Sequence, residues 1–140
     1  MTCAVSWGLQ QAVYSALQAD TALGGLVAGR IYDAAPHAGQ AGDPAVAYVT
    51  LGEELVRPFD TADGHGGRID FTVTVHSGTE GYASAKEIAG AVCDVLIDAP
   101  LSLSRGTLVA LRFLQAQAQR GRAPTRRRVT LRFRAVVDDE

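Results

Sequence analysis

Residues that alternate between apolar and polar at every second position limit the folds open to this 140-residue chain more than any other feature. In residues 68–76, the apolar side comprises Ile69, Phe71, Val73 and Val75. In the C-terminal run, residues 124–140, Val129, Leu131, Phe133, Ala135 and Val137 oppose Arg128, Thr130, Arg132 and Arg134. Successive side chains of a β-strand point to opposite faces. Both runs therefore predict strands with one buried face and one polar face.

Two other stretches have apolar residues at helical spacing. Ser6 is predicted to cap an opening helix, and Asp20 to begin a short second turn that stops at Gly24-Gly25. The apolar face of the opening helix comprises Leu9, Val13, Ala16 and Leu17. Thr79 is predicted to cap a second main helix that ends before Pro100. Its apolar face comprises Tyr82, Ala85, Ala89, Val92 and Leu96, widened by Ile88 and Val95.

The remaining segments predict further strands and loops. Residues 30–33 are a short extended piece, and residues 45–54 and 107–119 are strands. In the latter, Val109, Leu111 and Phe113 oppose Leu108, Ala110, Arg112 and Leu114. Residues 34–44 predict a loop, residues 55–67 continue the preceding strand before becoming Gly-rich, and residues 121–124 form a turn.

These elements predict a single domain over residues 1–140 with a two-layer α+β fold. Two main helices pack on one face of a mainly antiparallel sheet of about four or more strands. The other face of the sheet is polar and is expected to carry Asp70, Thr72, Thr74, Arg112, Arg132 and Arg134.

The composition is that of an ordinary globular protein, with 47% hydrophobic and 20% charged residues. No apolar run approaches the ~20 residues of a membrane-spanning helix, and no secretory signal is recognisable. We therefore expect a soluble protein made in the cytosol. Cys3 and Cys93 form neither a disulfide framework nor a metal half-site, and Cys93 is predicted to be a small buried hydrophobe.

Catalytic and cofactor signatures are absent from the sequence. It contains neither GxSxG nor HExxH, and His37, His65 and His76 are scattered over two loops and the end of a strand. The neighbouring carboxylates Glu53 and Glu54 would point in opposite directions in a strand. We therefore predict no enzymatic activity, no catalytic residue, no cofactor and no metal site.

The net charge of −2 is unevenly distributed. Residues 100–137 contain no acidic residue and nine arginines: Arg105, Arg112, Arg120, Arg122, Arg126, Arg127, Arg128, Arg132 and Arg134. Three interpretations are open: nucleic-acid binding, a protein partner, or a solvated face. Nucleic-acid binding is disfavoured because Phe133 faces inward and the chain is acidic overall. A solvated face would leave Asp70 to pair with Arg132 or Arg112 inside one subunit.

A protein partner would use residues of both charges. Arginine suits interfaces because its planar group pairs bidentately with carboxylates. The acidic middle and basic end could join copies head to tail, in a ring or a filament. The candidate interface residues are Arg112, Arg126, Arg128, Arg132, Arg134, Glu53, Glu54, Arg57, Asp60 and Asp63.

Several stretches together resemble a known family. They are, in order, SWGLQQAVYSALQAD, LGGLVAGRIYDAAP, AYVTLGEE, DFTVTVHS, GYASAKEIAGAVCDVL and RRRVTLRFRAVV. The order resembles that of the small tail terminator, or tail-completion, proteins of long-tailed phages, prophages and gene transfer agents. This resemblance implies a non-enzymatic structural protein of a virion or phage-like particle, made in the bacterial cytoplasm and placed at the head–tail junction.

The resemblance further implies a homo-oligomer, a hexameric ring that caps the tail tube protein, stops its polymerisation and receives the head–tail connector (stopper) protein. DNA would pass through the lumen without specific binding. The arginine face would then meet protein, such as the acidic candidates of the neighbouring subunit. Loops 34–44 and 55–67 are expected to order on docking. The alternatives are another connector ring protein, a stopper or adaptor, and a small nucleic-acid-binding module using the arginine face.

Overall fold

The computed structural model describes residues 3–33, 47–58, 64–78, 82–97, 99–120 and 126–139. Its helices are α1 (Val5–Ala19), α2 (Thr21–Val27) and α3 (Ala83–Leu96). Its strands are β1 (Ile31–Tyr32), β2 (Tyr48–Pro58), β3 (Gly66–Ser77), β4 (Thr107–Arg120) and β5 (Arg127–Asp138). Asp60, Asp63 and Thr79, together with all of loop 34–44 and the turn at 121–124, lie outside the described residues.

The five strands form one sheet in the order β1-β2-β3-β5-β4. Short β1 runs parallel to β2, and every other neighbouring pair is antiparallel. The helices supply one layer and the sheet the other, with a single apolar core between them. The predicted α+β fold is confirmed.

Alternation is most regular in the two central strands. All five apolar residues predicted inward in β5 are buried, as are the four in β3. Their two phenylalanines face each other across the strands, with the ring centroids of Phe71 and Phe133 5.5 Å apart. Phe113 of β4 contacts Phe133 edge-on at 6.0 Å. The core is therefore built on β3 and β5. None of the three described helices lies on the opposite, polar side of the sheet, which we call the open face.

The helix ends differ from prediction. α1 begins at Val5, so Ser6 is not its cap; the Ser6 hydroxyl instead donates a hydrogen bond to Glu54 of β2. The turn at Asp20 does not stop at Gly24-Gly25 but continues as α2 to Val27. The Asp20 carboxylate caps α2 by accepting the backbone N–H of Leu23 at 2.9 Å. α3 begins at Ala83, later than predicted.

Strand β4 also departs from simple alternation. Its pairing with β5 shifts between Leu108 and Ala110 and again between Phe113 and Gln115. Each shift is a β-bulge, which breaks the two-residue period. As a result Leu108 packs on the core and Val109, predicted to share the face of buried Leu111, is 64% exposed.

Candidate subunit interface

The open face carries a grid of polar residues in register across the strands. One row contains Leu55, Asp70, Arg134 and Arg112, and the next contains Thr72, Arg132 and Gln115. A row of threonines, Thr50, Thr74 and Thr130, follows. The predicted position of the arginines on the polar side of the sheet is thus confirmed for Arg112, Arg128, Arg132 and Arg134.

Arg134 pairs with Asp70 inside the subunit. Its Nε and Nη2 donate to the two carboxylate oxygens at 2.8 and 3.0 Å, a bidentate geometry. This hydrogen bonding holds the pKa of Asp70 below its usual range against the opposing effect of burial, and it raises the pKa of Arg134. The partner of Asp70 is therefore Arg134, which lies directly opposite, and not Arg132 or Arg112.

Arg112 and Arg132 have no carboxylate partner among the described residues. Both side chains are exposed, and neither forms an ion pair with any described residue. Arg112 lies directly opposite Arg134, a like-charge neighbour. Arg132 lines a groove together with Glu53 and Leu55 of β2. These two arginines are exposed cations of the open face that another chain can reach.

At the other end of the open face, Tyr48, His76, Arg126 and Arg128 form a compact cluster. The rings of Tyr48 and His76 stack 4.4 Å apart, and the guanidinium of Arg126 lies 5.5 Å from the Tyr48 centroid. Arg128 donates to the side-chain oxygen of Gln119 at 2.6 Å. Burial first, and the charges of Arg128 and Arg126 second, lower the pKa of His76 to about 4. His76 is consequently neutral at physiological pH.

The two acidic candidates that the structure describes, Glu53 and Glu54, lie on β2, with two strands between them and β4. Gly52 and Glu53 form a bulge, and Glu54 then pairs with Phe71 on the helix-covered side. Glu53, Glu54 and Arg57 are all exposed. One side of the subunit therefore presents carboxylates and the other presents the arginines of β4.

The exposed outer edge of β4 was not predicted from the sequence. Every residue from 112 to 118 is exposed, including Phe113 at 43% and Leu114 at 41%. Within the described part of the chain, β4 pairs only with β5. The signal was present in QAQAQ, residues 115–119, because a strand whose inward positions hold only alanine cannot contribute a large side chain to a core.

Two other kinds of site are absent from the part of the chain that the structure describes. In the described ranges, no group of three or more His, Cys, Asp or Glu residues is placed to hold a metal ion. None of the described helices is both long and apolar enough to cross a membrane.

Comparison with known proteins agrees with this geometry. Residues 11–138 match the family described as tail completion protein gp17. The chain belongs to this family. The resemblance drawn from the sequence is thereby confirmed, and the chain is a structural protein of phage tails or phage-like particles. Membership of a structural family argues against an enzymatic role.

A solved structure extends the match to the whole fold. A chain in the virion of a native gene transfer agent (GTA) particle is 44% identical to this tail completion family member, with a TM-score of 0.88. The match covers 98% of this chain and 99% of the other. None of the curated proteins matches the chain.

Proposed function

We propose that this protein is a ring-forming tail terminator, which caps the tail tube and joins it to the head connector. The observation that carries the proposal is the near-complete overlap with a chain of a gene transfer agent virion, together with membership of the tail completion family. A hexamer is the stoichiometry implied by the family resemblance. Its lumen passes DNA without gripping it.

The chemistry of the open face supports protein docking at this position. Arg112 and Arg132 are exposed and unpaired among the described residues, and arginine can pair bidentately with carboxylates on an apposed protein. Asp60 and Asp63 remain candidate partners with Glu53 and Glu54. In this proposal the arginines meet either the neighbouring subunit or an acidic rim of the tube.

Charge reversal tests the arginine face. Arg132→Glu should leave the fold intact, because the side chain is exposed, and should reduce the number of tails joined to heads. Lys86→Glu is the matched control, since it reverses an exposed charge on α3 and not on the open face. Arg134→Glu is a weaker test because it also breaks the pair with Asp70. Normal joining with Arg132→Glu would remove the arginine face from the interface.

Imaging tests the position. Negative-stain microscopy of native particles with this subunit labelled should place it where tail meets head. Deletion of the gene should give tubes of uncontrolled length that lack heads. A label at the head vertex on tubes of normal length would instead identify a stopper or adaptor. A label elsewhere would refute both assignments.

The nucleic-acid alternative has less support from the structure than from the arginine count. Tyr48 is an aromatic residue on the open face among arginines, the arrangement used by single-strand binders. However, His76 stacks on this ring and Arg126 packs over it, so neither is available to a base without rearrangement. A steep fall of oligonucleotide affinity with salt would revive this alternative.

A further inference from the structure

Two edges of the sheet lack a strand partner over much of their length. β1 pairs only with Val49 and Thr50, so the outer edge of β2 from Leu51 to Pro58 is unpaired within the described residues. On the other side, no described residue pairs with the outer edge of β4 anywhere along Thr107–Arg120. Free edges of this kind are templates for pairing with another chain, and natural proteins usually cover or interrupt them.

Each edge contains a regular segment suited to pairing. The bulges of β4 fall before Gln115, and residues 115–120 then pair with β5 without interruption. They contain neither proline nor lysine, the usual protections of an edge. On β2, residues 54–58 are regular after the bulge at Gly52 and Glu53, and they end at Pro58.

The β2 edge of one copy and the β4 edge of another can pair as antiparallel strands, both in direction and in the alternation of their backbone hydrogen bonds. β2, β3, β5 and β4 are antiparallel in turn, so β2 and β4 run in opposite directions. In an antiparallel ladder, backbone groups alternate between pointing to one neighbour and to the other. Consider two residues that lie in the same row of the sheet, one on β2 and one on β4. Across four antiparallel strands, their backbone N–H and C=O groups either both point outward from the sheet or both point inward. A second copy can continue the ladder without changing this alternation.

Side-chain faces and charges select one register. On the helix-covered side, β2 presents Glu54 and Val56, whereas β4 presents Ala118 and Arg120. Arg120 lies opposite Arg127 of its own subunit, so an incoming carboxylate would relieve repulsion. Antiparallel pairing of Glu54 with Arg120 then places Val56 opposite Ala118.

The same register is compatible with the open face. There Leu55, which is 50% exposed, falls opposite Gln119, and Arg57 falls opposite Gln117. Neither pairing brings two like charges together. The small side chains of residues 116 and 118 leave room for the side chains of an added strand.

We propose that the occupant of the β4 edge is the β2 edge of a second copy of this chain, paired with Glu54 opposite Arg120. The inference deepens the proposed function and rests on it for the closed ring. The contact joins unlike surfaces, so each copy receives one neighbour and is received by another. It gives the ring a sheet that continues from subunit to subunit.

Paired cysteines test the register. In a Cys3→Ser, Cys93→Ala background, Val56→Cys with Ala118→Cys should form intermolecular disulfides on mild oxidation and give a ladder of covalent oligomers. Within one chain the two positions are at least ~14 Å apart, three strand spacings, which is too far for a disulfide. Val56→Cys with Gln115→Cys is the control, because it places the second thiol on the other face and three residues away.

The outcomes separate edge pairing from the proposed function. Labelled rings at the head–tail junction that fail to cross-link through residues 56 and 118 would overturn the edge pairing and leave the terminator role standing. Cross-linking by the control pair as efficient as by the test pair would also overturn the register. Cross-linked oligomers from particles in which the label lies away from the junction would support the pairing and refute the terminator role.

A charge exchange gives a second readout. Glu54→Arg and Arg120→Glu should each raise several-fold the protein concentration needed for half-oligomerisation, and the double exchange should restore it. Circular dichroism of the monomers checks that the fold is retained, since Glu54 also accepts the Ser6 hydroxyl. Two single losses that simply add in the double variant would contradict the pairing of these side chains.

Discussion

His76 should make the stability of this protein fall steeply in mild acid. Burial against Tyr48 and the nearby arginines lower its pKa from 6.5 to about 4 in the folded chain. Between these two values the unfolded chain binds a proton that the folded chain does not. The free energy of unfolding is therefore fully retained above pH 6.5 and decreases as the pH falls toward 4.

The size of this loss follows from the two pKa values. Because a tenfold difference in proton affinity corresponds to ~1.4 kcal/mol, the complete loss from His76 is about 3 kcal/mol. Between pH 7.5 and pH 5.0 it is about 2 kcal/mol. With a urea dependence of roughly 2 kcal/mol per molar, this corresponds to a lowering of the unfolding midpoint by about 1 M.

Urea unfolding at these two pH values measures the effect. His76→Gln is the matched variant, because the amide can still bond to the Thr50 hydroxyl, 3.2 Å from His76 Nε2, but does not titrate. Between pH 7.5 and pH 5.0, the urea midpoint of the His76→Gln variant should fall by about 1 M less than that of the unchanged chain. Working at dilutions where the midpoint no longer depends on protein concentration removes effects of association. Equal changes for the two proteins would refute the argument from burial.

Six further substitutions, at five positions, test the packing, the backbone and the α2 cap through the same urea midpoint. Phe133→Ala should lower the free energy of unfolding by ~3–5 kcal/mol because this ring is fully buried. Phe113→Ala should lower it by less than half as much because that ring is 43% exposed. Equal losses would contradict the assigned core. Gly25→Ala should stabilise α2 by up to ~1 kcal/mol because an added Cβ meets nothing within 4 Å. Gly106→Ala should destabilise, since its φ is +83° and an added Cβ would lie 2.9 Å from a backbone oxygen; a neutral result would exclude that strain. Asp20→Ala should lose ~1 kcal/mol through the missing cap of α2, Asp20→Asn should lose little, and equal losses would discount the cap.

The fold was predictable from the sequence where the alternation of apolar and polar residues matches the burial of their side chains. β3 and β5 are central strands with one face covered, so the alternation around Phe71 and Phe133 reports directly which side is buried. β4 lies at the edge, where bulges at Val109 and Leu114 are tolerated and alternation is lost. The α2 helix was underestimated because its cap and buried Leu23 outweigh the low helix propensity of two glycines.

The site was predictable in composition but not in pairing. Alternation placed Arg132 and Arg134 on the open face, yet only the register between β3 and β5 decides that Asp70 meets Arg134. Likewise the contact between Ser6 and Glu54 joins residues 48 positions apart, which no local pattern reveals. Strand order, and with it the free edges, depends on such long-range pairing.

Unlike edges give any assembly built through them a polarity. An open row of copies always ends in one uncovered β2 and one uncovered β4, whatever its length, and only closure covers both. A subunit altered at the β4 edge alone could still attach through β2 and would then offer nothing to the next copy. Each such copy would stop the growth of a row that already contains several unaltered copies. A small fraction of altered subunits would therefore prevent a larger fraction of rings from closing.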